Sequence, residues 1–599
     1  MVEKVPVVIV GGGPIGLTLS CILGKNNIKH VLLEVNEDTS VWPKAMITNT
    51  RSMELYHQLG LDVFLRKEEL VGTDNRIVIG NSINETPFIQ IPLMQMMGKN
   101  PHRNCDTSYT FDEKWTAQNV LRLSQTFMEP ILKKVANKYA SSDVKFGWKV
   151  EAISQNQDQV IIKALNIKSG ERKVYHAQYA VGCDGGKSFV RKSLGIRLKG
   201  EFDLAKMKSI SFESPELKDR IAIDEHLGIM IVKSDVLGFT LPLNKKGLFV
   251  THIFSYKKDL KPEEYLKILF DDEDIPYNVV FANDWQGHFA SAETLQQGRV
   301  FLAGDACHIM IPLGGFGMNT GVLDAYDLGW KLVATLNGWG GEKLLASYTA
   351  ERLPSINKVL DRLKRMFYVF QNYLGVTLFL LTTQPFSFIM KRFVDPSNFN
   401  NGISGILFGL RLESSPICIP CGIPLPPEDS GNYTPTALPG CRAPFYQFDD
   451  GSTLHDKLGE AFTLVHLKPS EQNCDPLIAV AAHCGIPLKV VALEDEKLKT
   501  LYLGMDFVLI RPDLYIAWCG NEIPTLLHNE DINEGAKVLM KVVTGAASLP
   551  SEWQRSGKNG HTARTSPFSF LLSILVGATA GSVELWYEWI QRTMNDNEH

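Results

Sequence analysis

Residues 5–16 read VPVVIVGGGPIG: an apolar strand runs straight into Gly11-x-Gly13-x-x-Gly16, and LTLSCILGKNN behind it has helical spacing. A second apolar strand, HVLLE, closes on Glu34, 18 residues past Gly16. Each residue type has a physical reason. Gly11 permits the tight turn, Gly13 lets the backbone approach a pyrophosphate, and Gly16 lets helix and strand pack closely. Pro14 and Ile15 complete the turn, whose helix N-terminus offers N–H donors and a partial positive charge to phosphates. Glu34 stands where a carboxylate accepts ribose hydroxyls. The pattern predicts a dinucleotide-binding βαβ unit and leaves FAD or NAD open.

Composition narrows the class. With 599 residues, 44% hydrophobic and 21% charged, the chain reads as globular with three or four domains. A net charge of -5, 61 basic against 66 acidic residues, gives no electrostatic support for nucleic-acid binding. Ten scattered cysteines do not read as a disulfide framework. The first apolar run is too short for a signal-peptide core, so a cytoplasmic protein is expected.

Near the other end, Pro567 to Val583 is uncharged for 17 residues and is followed by Trp586, Tyr587 and Trp589. Two readings stay open: a helix docked on the protein, or membrane association through residues 567–589. A second uncharged stretch, 366–390, holds several polar residues and a proline. It reads as buried helices at a subunit contact, with a homodimer as the corresponding expectation.

Two further motifs concern the cofactor. Residues 298–324 read GRVFLAGDACHIMIPLGGFGMNTGVLD. A strand ends at Gly304-Asp305, whose carboxylate can accept bonds from ribityl hydroxyls. Gly314, Gly315 and Gly317 allow backbone to approach a flat ring, and Met318-Asn319-Thr320 opens a helix aimed at the pyrimidine end of a flavin. Residues 179–196 read YAVGCDGGKSFVRKSLGI and contain Asp184 in an Asp-Gly turn.

These motifs, together with Arg122-Leu-Ser-Gln125 and Glu129, Glu351-Arg352 before Pro354, and Trp330-Lys-Leu332, make the chain resemble the class A flavoprotein aromatic hydroxylases. That family includes the p-hydroxybenzoate and phenol hydroxylases. The resemblance covers roughly residues 5–395 and implies FAD as cofactor and NAD(P)H as a transient co-substrate without its own Rossmann domain. It implies hydroxylation of an aromatic or polycyclic small molecule through a flavin C4a-hydroperoxide. Baeyer–Villiger or epoxidising chemistry is the alternative within the same fold, and an FAD-holding scaffold the alternative outside enzymes. It also implies cofactor contacts from Lys44, Arg51, Arg122, Gln125, Asp184, Pro312, Gly315, Gly317, Met318 and Asn319. No side chain stands out as a catalytic acid or base.

Departures matter. Glu34 is followed by Val35-Asn36 where many members have Arg, so one adenosine-side contact is missing or moved. Lys44 replaces an Arg and loses its fork of donors. Met46 stands where the phenol hydroxylases have an acid, which puts phenol deprotonation by that route in doubt. Phe316 replaces a Gln beside the flavin.

The expected fold class is α/β: a Rossmann-type FAD domain (1–80, 110–200 and 290–365) interleaved with a substrate-binding sheet domain (81–109 and 201–289). Strands with one covered face are expected in the latter from runs such as LGIMIVK and LFVTHIF. Then follow a helical region (366–411), a Pro-rich linker (412–437) and a domain at 438–550 that resembles the thioredoxin-like domain of the phenol hydroxylase branch. A tail, 551–599, completes the chain. No redox CxxC stands after the first strand of that C-terminal domain. Cys418-x-x-Cys421 lies in the linker, and no metal site is expected.

Overall fold

In the computed structural model the run VPVVIV forms the strand Val2–Val10, whose last four residues are all buried. Burial on both faces is what a central parallel strand requires. It pairs in parallel with His30–Glu34 on one side and Arg172–Gly182 on the other, which in turn pairs in parallel with Val300–Leu302. Ser142–Phe146 and Gln296–Gln297 close the ends, and the antiparallel strands Trp148–Gln155 and Val160–Asn166 fold onto Arg172–Gly182. The structure describes residues 2–42, 44–70, 76–80, 82–83, 89–92, 115–220, 226–233, 236–256, 260–271, 275–382, 403–469, 473–526, 531–551 and 553. The tail's apolar segment, 567–583, lies outside them. Among the described residues no helix is long and apolar enough to cross a membrane.

A second sheet runs in the order His308–Ile309, Asn278–Ala292, Leu198–Glu213, Leu248–Tyr256, Val236–Pro242, His226–Val232, Arg76–Gly80, Ile89–Pro92. It differs from the expected one-faced sheet. Ile210, Phe212, Phe249 and Ile253 pack on one face beneath Pro262–Phe270, while Met207, Trp285 and Phe254 turn the other face toward the core of the first sheet. The sequence runs show alternation, but both sets of alternating positions are apolar.

The expected boundary at 365/366 falls inside one helix, Glu342–Thr382, which runs on past Pro354. The linker is no free spacer either. Ile417 and Ile419 are buried with the C-terminal core, and the Ile419 N–H donates to the Ala517 carbonyl at 2.8 Å. Prolines stop this segment from joining a helix or ladder, yet its apolar residues still gain by burial. The C-terminal sheet, ordered Leu488–Ala492, Phe462–His466, Phe507–Ile510, Ile516–Gly520, is parallel across its first pair and antiparallel across the other two. With helices Asp475–His483 and Ile532–Val543 it has the thioredoxin-like arrangement.

Candidate functional site

Three adjacent parallel strands, Val2–Val10, Arg172–Gly182 and Val300–Leu302, each end in one of the three motifs. Val10 stands opposite Gly182, and Gly182 opposite Leu302. The Gly11–Gly16 turn, the Asp184 turn and the Gly304-Asp305 turn therefore leave the sheet at one edge, where ligands bind in open α/β sheets.

The glycines differ in what they permit. Gly11 has φ +111°, and a Cβ there would lie 2.3 Å from the Cys183 carbonyl oxygen. A Cβ on Gly16 would lie 2.0 Å from the Gly11 oxygen. A Cβ on Gly13 would meet nothing within 4 Å. Gly13 thus borders open space at the N-terminus of the helix Pro14–Lys25, which has no side-chain cap and no acid in its first turn. An uncapped helix start beside open space fits a diphosphate. Ile15, buried in that first turn, packs under the other motif: a Cβ on Gly304 or Gly321 would come within 2.9 or 2.7 Å of it.

Glu34 is buried and its carboxylate accepts from the Gly12 N–H at 2.6 Å and from the Asn36 N–H and side-chain amide at 2.9 and 2.6 Å. Asn36 therefore holds Glu34 in place. Asp184 accepts from the Ser188 hydroxyl at 2.5 Å and the Val190 N–H at 3.0 Å, which makes it the anchor of its own turn. Arg191 is buried and donates to the carbonyls of Ala306 at 2.8 Å and Gly186 at 3.1 Å, tying the Asp-Gly turn to the Gly-Asp turn. Asp305, in the turn Gly304–Ala306, is exposed and accepts no hydrogen bond from the described residues.

A second group closes around the helix Phe316–Leu336. Asn319 donates to the Ile47 carbonyl at 2.9 Å and the Gly315 carbonyl at 2.6 Å, and accepts from the Asn49 N–H at 2.9 Å. Ile47 pairs with Arg122, and the Gln125 N–H donates to the Ala45 carbonyl at 2.8 Å. Residues 44–48, 121–125 and 315–319 thus form one ledge. Lys44 is exposed on it, Arg122 is buried, and the Gln125 side chain donates to Glu129 at 2.6 Å. Burial pushes the Glu129 carboxyl up, against the bonds from Gln125 and Ser40. Gly314 and Gly315 both have φ +70°, and Pro312 and Gly317 stand beside them on the same loop, as does half-buried Met318. Phe316 is buried under Gly314 as part of the core.

Arg51 is the exception. It is 1% exposed, donates to Glu54 at 3.0 Å and to the Asp513 carbonyl at 2.7 Å, and so faces the C-terminal domain. The cofactor contact expected of it is corrected to an interdomain one: its fork of donors is satisfied inside the protein.

Sequence reasoning missed Asp324. This fully buried carboxylate accepts from the Gly304 N–H at 3.1 Å, His308 Nε2 at 2.8 Å and Arg352 Nε at 2.9 Å. Burial pushes its carboxyl up, but Arg352 and His308 outweigh that and hold it below its usual range. Cys307, His308 and Asp324 also lie close enough to converge on an ion. Arg352 already neutralises the carboxylate, and burial pushes the Cys307 thiol far up, so the trio is a structural knot. The signal was an acid inside the apolar run GVLDAYDLGW.

The comparisons agree with this geometry. Residues 4–363 match the family described as FAD binding domain, and residues 436–537 match aromatic-ring hydroxylase, C-terminal. The chain is 30% identical over 558 residues to the FAD-dependent monooxygenase apdD of Emericella nidulans, covering 86% of this chain and 88% of the relative. It is 26% identical to the tetracenomycin A2 monooxygenase-dioxygenase of Streptomyces glaucescens, covering 87% and 94%. Among solved structures, the rebeccamycin biosynthetic enzyme RebC with reduced flavin superposes with a TM-score of 0.78 at 26% identity, over 91% of this chain and 100% of that one.

The class defined by fold and site is a flavoprotein oxidoreductase. More particularly, the chain belongs to the FAD-dependent monooxygenase family that carries the aromatic-ring hydroxylase C-terminal domain.

Proposed function

We propose that this enzyme hydroxylates an aromatic or polycyclic small molecule, taking electrons from NAD(P)H and oxygen from O2. The observation that carries the reading is the convergence of three cofactor turns at one sheet edge, with the half-open aromatic face of the second sheet turned toward them. The relatives include a tetracenomycin A2 monooxygenase-dioxygenase and putative polyketide hydroxylases, which supports a polycyclic ring.

The bound flavin supplies electron transfer from NAD(P)H and activation of O2. The chain's own residues bind and orient. The N–H groups of Ile15 and Gly16, at the helix start beside the open space at Gly13, would hold the diphosphate. Glu34, held by Asn36, accepts ribose hydroxyls, and Asp305 accepts ribityl hydroxyls. Lys44 offers its charge, and Arg122, Gln125 and Asp184 brace the walls. The N-terminus of Phe316–Leu336, formed by Gly315, Gly317, Met318 and Asn319 beside Pro312, offers partial positive charge that would stabilise the negative charge of a reduced ring. The sheet roof excludes water from the reacting atoms.

The test is purified protein offered phenolic and polycyclic compounds. Yellow protein whose NAD(P)H oxidation rises with one class of ring, giving a product heavier by one oxygen, supports the reading. Colourless protein that stays without flavin when FAD is added, or flavin whose reduction no ring stimulates, overturns it.

A further inference from the structure

The second sheet has two unlike faces. On the face beneath Pro262–Phe270, Ile210, Phe212, Phe249 and Ile253 are completely buried. On the opposite face, Met230, Phe239, Phe254, Phe281 and Trp285 are all only half-buried. Trp285 and Phe254 pack against the flavin-domain core together with Met310, Leu313 and Met318 of the Gly-Asp loop. The ring of Phe281 touches that of Trp42, on the segment leading to Lys44. A half-open aromatic surface turned toward the cofactor loops is the lining expected for a flat ring.

One polar chain crosses this apolar face. Ser209 and His252 stand directly opposite on paired strands, with the Ser209 Oγ 2.8 Å from His252 Nδ1. Trp285 Nε1 lies 2.8 Å from the same Oγ. An indole N–H can only donate, so Ser209 accepts from Trp285. The Ser209 proton then has one acceptor among the described residues, His252 Nδ1. When Ser209 donates that proton to Nδ1, the neutral imidazole carries its own on Nε2, which has no hydrogen-bond partner among the described residues. Burial also pushes the His252 pKa down to about 4, so the ring stays neutral at ordinary pH.

We propose that His252 is a specificity-determining residue, whose Nε2–H donates to a carbonyl or phenolic oxygen on an oxygenated polycyclic aromatic substrate. Ser209 and Trp285 are positioning residues that fix the tautomer. A donor on an otherwise apolar face favours a ring bearing an acceptor over the bare hydrocarbon, because the latter would cover the half-buried N–H without meeting it. The inference rests on the monooxygenase reading and names which ring it takes.

The test uses FAD-loaded protein, with 9,10-anthraquinone and anthracene as probes and the flavin absorbance change as the binding signal. The parent protein should bind the quinone more tightly than the hydrocarbon. His252→Phe should weaken the quinone about tenfold and leave anthracene unchanged. His252→Gln, which keeps an amide donor, should recover most of the loss, and Ser209→Ala should fall between. Flavin content, measured for every variant, separates folding from recognition. Equal loss for both probes, no loss for either, or no preference in the parent overturns the role of His252. If neither probe binds but an oxygen-free ring stimulates NAD(P)H oxidation, the donor proposal fails and the monooxygenase reading stands. If no ring stimulates oxidation at all, both fail.

Discussion

Asp324 is the residue on which the Gly-Asp turn depends. The Asp324 carboxylate sits at 0% exposure between Arg352 at 2.9 Å, His308 at 2.8 Å and the Gly304 N–H at 3.1 Å. Replacing it with Leu leaves the Arg352 guanidinium, 3% exposed, without its counter-ion. Removing one partner of a buried pair costs about 3–5 kcal/mol. If the flavin-binding unit melts as one body of some 360 residues, that is a fall in Tm of roughly 4–7 °C. Differential scanning fluorimetry, with and without added FAD, measures it. Flavin affinity should fall as well, since Gly304 holds Asp305 in its turn. The decisive variant is Asp324→Leu/Arg352→Met. Removing both charges takes away the stranded cation, so the double variant should be more stable than Asp324→Leu alone. A single-variant loss below about 1 kcal/mol, or a double variant that merely adds the two single losses, would refute the reasoning.

Asp305→Ala should lose most bound FAD, since each charge-assisted bond to a ribityl hydroxyl is worth roughly 1.5–3 kcal/mol; unchanged affinity by flavin fluorescence titration contradicts the placement. Gly13→Val should abolish FAD binding more completely than Glu34→Ala, because the branched side chain fills the open space beside the helix start; the same titration ranks them. His57 bridges Asp62 at 2.8 Å and Asp456 at 3.2 Å. Burial pulls its pKa down, the two carboxylates pull it up, and the net shift is upward. Its contribution is therefore fully present below about pH 6.5 and fades as pH rises through the higher folded value. Tm measured from pH 6 to pH 9 should show that decline, and His57→Gln should flatten it. Arg511→Met should destabilise the protein by about 3–5 kcal/mol by stranding buried acids, read as a lowered denaturation midpoint.

The cofactor end of the molecule was legible because its chemistry is local. Gly11, Gly13 and Gly16 act within one turn, and Asp305 stands three residues past a strand end, so spacing alone carries the message. Arg51 misled for the opposite reason. A helix-opening Arg reads the same whether its guanidinium faces a cofactor or a neighbouring domain, and its partner, the Asp513 carbonyl, is 462 residues away. Asp324 was silent, and Arg352 and Arg191 stood only within the matched motifs with no role attached, because each satisfies a backbone or a charge brought close only by tertiary packing. The His252, Ser209 and Trp285 chain spans three strands, and in sequence each is one more polar or aromatic residue in an alternating run.

The contact between the flavin unit and the C-terminal domain has the same non-local character, and it is built on buried charges. Arg511, 0% exposed, reaches Glu351 at 2.7 Å and Asp327 at 3.1 Å on the flavin side and Asp513 at 2.5 Å on its own. Lys331 reaches the same Asp327 and Glu351 at 2.8 and 2.6 Å. Three acids thus face two cations in a site without water's dielectric, one negative charge too many. The cluster balances if one acid keeps its proton. Burial pushes the Asp327 carboxyl up, while Arg511 and Lys331 overcome burial to hold Glu351 down. Without Arg511 the flavin unit would hold Asp327 and Glu351 against Lys331 alone. Arg442 repeats the pattern by ion-pairing with buried Glu54, which also accepts from Arg51. A thioredoxin-like domain without a redox CxxC at its first helix is thus joined here to the flavin domain by buried ion pairs. It acts on the helix Phe316–Leu336, which carries Asp324, Asp327 and Lys331 and opens at the cofactor ledge.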